Sequence, residues 1–288
     1  MMQINKMSKK QILINAVFLG LAVIGCNHAN QRPPTGNSGT AISAVAVKDS
    51  VVGKQAKNTA AQVYAKPEVP VLCYHRISDG PKSEYRVSPA TFSAHMKVLS
   101  DSGYHAISPD QLYDYLVYNK TLPEKPVIIA FDDSRAEHYA IAAPVMEKAG
   151  FRGVFFIMTI TCNKKNYMTT DQIVQLEKAG HTIGLHSWDH TMVTKYKQAA
   201  DWQKQVTDPK KKLEGIVGKP VEYWAYPNGV YDHNGAEELS KYFKLSFTLY
   251  SKRDSVVPLQ TIRRMIVPEC TSQGLLKSMH RTFGKWQK

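Results

Sequence analysis

From residue 67 onward the chain alternates between two kinds of segment, and this alternation limits its possible folds more than any other feature. Short apolar runs rich in β-branched and aromatic residues read as strands at 69–74, 127–131, 153–158, 182–185, 221–225, 245–249 and 262–267. Helical patterns with recognisable ends lie between them. Ser88-Pro89 and Ser108-Pro109 each offer an N-cap followed by proline at the first helical position. Ser108 with Gln111, and Thr169 with Gln172, fit capping boxes. Gly103, Gly150 and Gly180 stand where helices should stop, the last two inside a repeated Glu-Lys-Ala-Gly. Strands alternating with helices predict a parallel α/β sheet, as a barrel or an open doubly wound sheet. No Gly-x-Gly-x-x-Gly follows the first strand, so a dinucleotide fold has no specific support.

The N-terminal stretch is set aside from fold reasoning. Lys6, Lys9 and Lys10 precede an apolar run at 12–24 that is too short to span a bilayer comfortably. It ends in Val23-Ile24-Gly25-Cys26, which resembles a bacterial lipobox. The resemblance implies a lipoprotein signal peptide at 1–25, cleavage before Cys26 and lipidation of its thiol; an ordinary signal peptide with an incidental cysteine is the plainer alternative. Residues 26–66 are rich in small and polar residues and read as a flexible tether. A tether of about 40 residues spans on the order of 35 Å. The expected location is exported and lipid-anchored in the cell envelope, and Asn27 favours an outer membrane where one exists. Residues 67–288 form the expected single domain. Cys73, Cys162 and Cys270 make no metal-binding pattern, and Cys73 reads as a buried strand residue. The net charge of +13 suits solubility and attraction to an anionic envelope. Nucleic acid is not an expected partner, because Lys210-Lys211-Lys212 is the only notable basic run and reads as a solvated helix face. The chain is expected to act as a monomer.

Polar clusters recur at the C-terminal ends of the predicted strands. Tyr74-His75, Asp132-Asp133, His186 with His190, and Tyr226-Pro-Asn-Gly229 each follow one. In an α/β barrel those ends converge on one face, where active sites sit. Adjacent carboxylates repel unless something positive stands nearby, so one can bind a cation while the other accepts a proton; a solvated turn is the alternative. Histidines four apart, with one carboxylate, can make a site for Zn²⁺ or a similar divalent ion with positions left for water; two surface histidines are the alternative. His75 is either a hydrogen-bonded core residue or a general acid. Trp188, Tyr223, Trp224 and Tyr226 suit stacking on sugar rings, although core packing suits Trp224 better.

Ala130-Phe-Asp-Asp133, His186-Ser-x-x-His190 and Trp224-Ala-Tyr-Pro-Asn-Gly229 resemble, in order, the motifs of the polysaccharide deacetylases, the family-four carbohydrate esterases. The resemblance runs from about Val69 to about Met279. It implies a distorted (β/α) barrel of about seven parallel strands. It also implies metal-dependent N-deacetylation of an envelope or extracellular polysaccharide, such as poly-N-acetylglucosamine, peptidoglycan or a chitin-like polymer. Asp133, His186 and His190 would bind the metal, Zn²⁺ first and Co²⁺ or Ni²⁺ next, and Asp132 would be the base. Tyr74-His75-Arg-Ile77 resembles the branch that includes poly-N-acetylglucosamine deacetylases, which implies that His75 is the general acid. Tyr226, Asn228 and Trp188 are the oxyanion and substrate candidates. The chain departs from the pattern in four places: Ser134 for the usual Gly, Ala130 for Thr, Asn228 for Tyr, and Ala225 for the Arg that orients the base. Arg263 or Arg264 is expected to replace that arginine. The rival readings are an O-acetyl glycan esterase and a catalytically impaired glycan-binding lipoprotein.

Overall fold

A computed structural model describes residues 56–284. The expected signal peptide, the expected lipidation at Cys26 and the expected tether as far as residue 55 lie outside the described residues. Among the described residues eleven strands occur in chain order: β1 Val71–Tyr74, β2 Arg76–Ile77, β3 Arg86–Val87, β4 His105–Ala106, β5 Pro126–Phe131, β6 Val154–Ile157, β7 Thr182–Leu185, β8 Tyr223–Ala225, β9 Leu245–Thr248, β10 Ile262–Arg263 and β11 Met265–Ile266. The main sheet runs β10-β9-β8-β7-β6-β5-β1-β11, with β4 beside β5 and with β2 and β3 paired apart. Every pairing is parallel.

The two ends of this sheet are neighbours in sequence. The single strand expected at 262–267 is split at Arg264. Its first half pairs with β9 and its second half with β1. The Arg264 N–H donates to the Thr248 carbonyl, and the Val267 N–H donates to that of Cys73. One bent strand therefore serves both edges and nearly closes a barrel of seven staves. The break is a product of closure, since no straight strand can pair with both edges of a twisted sheet.

Residues of β1, β5, β6, β8 and β9 are buried on both faces, which explains their continuously apolar sequences. Val71, Ile128, Ala130, Val154, Phe156, Tyr223, Ala225, Leu245 and Phe247 form one core cluster, inside the barrel. Leu72, Tyr74, Ile129, Phe131, Phe155, Ile157 and Leu185 belong to the other, against the helices. Predicted caps are present: Ser88, Ser108 and Thr169 each accept a hydrogen bond from the third helical residue, opening the helices Pro89–Asp101, Pro109–Tyr118 and Thr170–Lys178.

One boundary differs from expectation. Residues 58–66 belong to the fold rather than the tether. Thr59 caps a short helix, Ala60–Ala65, through a full capping box, and Val63 on it is buried. The Arg253 guanidinium holds the carbonyls of Val63, Tyr64 and Lys66, and the Asn58 side chain donates to the Leu116 carbonyl. The sequence hid this because a single apolar anchor, Val63, suffices when arginine supplies the C-terminal cap.

Candidate active site

Strand periodicity decides which side chains meet. Residues 71, 128, 130, 223, 225, 245 and 247 face the barrel interior. Continuing each strand in steps of two carries His75, Asp132 and Leu249 to one end of it, and these three line a single cleft with Asp133, His190 and Asn228. The cleft holds about 320 Å³, close to the lower end of ligand-site volumes.

Two groups at the floor of this cleft, each including a fully buried residue behind its lining, bring together donor atoms able to hold a metal ion: Asp133, His186 and His190, and Cys73, His75 and Asp132. In the first, Asp133 Oδ1 lies 3.7 Å from His186 Nε2 and 3.5 Å from His190 Nε2. A tetrahedral ion with bonds of about 2.0–2.1 Å separates its ligands by roughly 3.4 Å. His186 Nδ1 donates to the Ala225 carbonyl at 2.7 Å, which leaves Nε2 as the acceptor nitrogen. That Nε2 is buried and has no hydrogen-bond partner. A buried orphan lone pair aimed at a carboxylate and a second imidazole fits a cation. The second group has looser contacts, with Cys73 Sγ 3.9 Å from His75 Nδ1 and 3.6 Å from Asp132 Oδ2. Burial pushes the Cys73 thiol well above its ordinary pKa, so it offers no thiolate.

Asp132 is almost fully buried. Burial alone would raise its pKa, but the Arg264 guanidinium, followed by His186 and His75, more than offsets this and holds the carboxylate well below the usual range. Arg264 Nη1 reaches Asp132 Oδ1 at 2.6 Å. Oδ2 accepts a hydrogen bond from the Cys73 thiol at 3.6 Å and faces the Nε2 atoms of His75 and His186, both at 3.8 Å.

A family model for polysaccharide deacetylases matches residues 119–243. YxkH of Bacillus subtilis (strain 168), named as a polysaccharide deacetylase, is 30% identical over 192 residues, covering 66% of this chain and 68% of YxkH. The chain belongs to the polysaccharide deacetylase family. Among solved structures it resembles the Streptococcus pyogenes deacetylase PplD in complex with acetate, with a TM-score of 0.67 at 22% identity over 74% of this chain and 99% of that one. It also resembles IcaB from Ammonifex degensii, with a TM-score of 0.62 at 26% identity over 74% and 96%. The first likeness shows the shared (β/α) barrel. Membership makes the chain a hydrolytic deacetylase.

The deacetylase treats the remaining sequence candidates unequally. Arg264 sits on Asp132, whereas Arg263 turns away, bonding Glu68 and the carbonyls of Ser251 and Thr282. Adjacent strand residues face opposite sides, so only one of the pair can reach the base. Asn228 is exposed at the cleft and adopts a left-handed φ of 57°. Tyr226 does not reach the cleft: it is fully buried, its hydroxyl donates to the Gln260 carbonyl, and its backbone N–H to that of Phe247. Trp188 lines a neighbouring groove under Lys204 instead of the cleft. The backbone reverses at Ser187, with φ of 64°, and this carries the indole away while bringing His190 back.

Three residues of the site, Tyr85, Arg135 and His138, carried no sequence signal. His138 Nε2 donates to the His75 carbonyl, and burial pushes its pKa down to about 4, so it holds that backbone as a neutral ring. Arg76, Arg135 and Tyr85 line the cleft from the segments after β1 and β5. Tyr85 is half exposed, with its ring 5.1 Å from that of His75, and it supplies the wall aromatic that Asn228 does not. A Tyr85→Ala variant is expected to raise KM for a glycan roughly 3- to 10-fold with little change in kcat, which steady-state kinetics on acetylated oligosaccharides will check.

Backbone strain is concentrated here. Asp133, Ser134, Ser187, His190 and Asn228 all have positive φ. Ser134 replaces a glycine at a φ of 57°, a strain of about 1 kcal/mol or more. Its buried Oγ accepts the Met158 N–H at 2.7 Å, and losing that bond would leave a buried donor unmet at about 1–3 kcal/mol. The bond outweighs the strain. Ser134→Gly is therefore expected to be less stable than the parent by about 1 kcal/mol in denaturant titration, and Ser134→Ala, which keeps the strain and loses the bond, less stable still. A glycine variant more stable than the parent would reverse this ranking.

Proposed function

We propose that this chain is an exported, lipid-anchored enzyme that removes acetyl groups from the amide nitrogens of an envelope or extracellular polysaccharide. It does so with a divalent metal, zinc first among borderline ions, held by Asp133, His186 and His190. The observation that carries this reading is the buried, unpartnered His186 Nε2, which faces Asp133 beside a second carboxylate already neutralised by arginine.

When bound, the ion polarises the acetamide carbonyl and acidifies a water. The chain's own groups handle the proton. With Oδ1 of Asp132 tied to Arg264, Oδ2 is the atom that accepts the proton of the attacking water. Burial lowers the pKa of His75, against the pull of Asp132 and Asp133, so the ring is neutral at rest. It becomes an acid by taking the proton from Asp132 Oδ2, 3.8 Å from its Nε2, and passes it to the leaving amine. Asn228, which lines the same cleft, is the proposed donor to the developing oxyanion.

The test is acetate release from acetylated chito-oligomers, poly-N-acetylglucosamine and peptidoglycan fragments by zinc-loaded protein, with Asp132→Asn as control. Absence of acetate from every amide substrate, or equal release by the control, sinks the reading. Faster release from O-acetylated xylan would make the enzyme an esterase. The anchor at Cys26 is tested separately: labelled fatty acid should enter the parent protein and not Cys26→Ala.

A further inference from the structure

We infer that the glycan carries an acidic group, a carboxylate or a phosphate, close to the reacting acetamide, and that Arg135 binds it. This rests on the deacetylase reading above. The charges around the cleft are nearly all accounted for. Asp132 is paired with Arg264, and Asp133 faces His186 and His190. Arg76, on the rim, gives its Nε to Glu137 at 2.7 Å. Arg135 lines the same cleft, yet among the described residues no carboxylate lies within ion-pair distance of it. Its Nε is buried and has no hydrogen-bond partner.

This arginine is also held in place. Its guanidinium carbon lies 4.8 Å over the Tyr167 ring, and its backbone bridges antiparallel to that of Tyr167. A guanidinium that is fixed, partly desolvated and unsatisfied is costly for the free protein. The cost is recovered when a ligand brings a planar or tetrahedral oxyanion, which the fork of N–H donors matches. A neutral N-acetylated sugar offers only hydroxyls and an amide. Its deacetylated product is a cation, which Arg135 and Arg76 would repel. An acidic ether or uronic carboxylate, or a phosphodiester substituent, satisfies the site and stays anionic after the reaction.

The experiment uses the full-length mature protein and matched glycan fragments. One pair is a carboxylate-bearing acetylated oligosaccharide and its carboxyl-reduced alcohol; the other is a phosphate-bearing fragment and its dephosphorylated form. Calorimetric binding to metal-free protein and kcat/KM with zinc are both read. The acidic member of at least one pair should be preferred by about tenfold, the worth of one charge-assisted hydrogen bond. That preference should vanish in Arg135→Met, survive in part in Arg135→Lys and fade with salt. Which pair shows it identifies carboxylate or phosphate. Equal use of acidic and neutral fragments, with acetate released from both, overturns the inference and leaves the deacetylase reading standing. An acidic preference in binding that Arg135→Met leaves unchanged also overturns it. An Arg135-dependent binding preference without acetate from any fragment supports the anion site and defeats the deacetylase reading.

Discussion

Arg264→Met is expected to lower both stability and turnover, because it strips the counter-charge from a carboxylate that remains buried. Breaking a buried pair by removing one partner costs about 3–5 kcal/mol. For a domain of this size that is a fall in Tm of roughly 6–20 °C. The pH dependence follows from the direction of the Asp132 shift. In the parent the folded pKa lies below the unfolded one, so the carboxylate contributes stability that is complete above the unfolded pKa near 3.8 and is lost only in stronger acid. Without Arg264, burial dominates and moves the folded pKa above the unfolded one. The ionised group then opposes folding at neutral pH, and protonation relieves it. The stability deficit of Arg264→Met should therefore narrow as pH falls toward 4, which denaturant titrations of chelator-treated protein at several pH values will measure. Adding Asp132→Asn should restore much of the stability, since the pair is then replaced by neutral groups. It should not restore turnover, which is expected to stay at least about a hundredfold down for want of a base. A single mutant as stable as the parent would remove the pair from the account of this site.

The second large effect is expected at His186. His186→Ala removes one of the three proposed ligands and should weaken zinc binding by more than about a hundredfold, beyond what the loss of a supporting residue alone produces. Acetate release should fall in step, and excess zinc should recover part of it. The fold should suffer as well. His186 Nδ1 satisfies the Ala225 carbonyl across to β8, and leaving that group buried and unmet costs about 1–3 kcal/mol. Zinc content after dialysis separates the two roles. A variant that retains a full equivalent of metal would show that His186 is structural and that the ion, if any, sits elsewhere.

Much of the fold was legible because the central barrel strands carry two buried faces, and such runs stand out from capped helices. The capping serines, the glycine stops and the number of staves were all readable from local chemistry. So were the strand ends that host the site, since polar residues directly after an apolar run are conspicuous. What could not be read depends on closure and on loop paths. The sequence 262–267 looks like one strand, and only the barrel geometry breaks it at Arg264 and so separates that residue's role from Arg263's. Trp188 and Tyr226 looked suited to sugar because aromatics often are. Their placement follows instead from a left-handed Ser187 and from a hydroxyl satisfied by Gln260. Arg135 and Tyr85 carried no signal, because each belongs to a connecting segment and acquires its position only when that segment is laid across the barrel mouth.

The seam formed by β10 and β11 makes competence a late event in the life of the chain. Cys73 pairs with Ile266, so the final stave can join the first only after nearly the whole domain has emerged. Contacts so distant in sequence are slow to form, since loop closure must precede any reward. Arg264 lies at that seam, between the two half-strands. Until the seam shuts, Asp132 lacks the charge that keeps it ionised in a dry interior. A chain whose barrel is still open thus holds every motif of a hydrolase and none of its reactivity, and hydrolysis begins only once the last stave has joined the first.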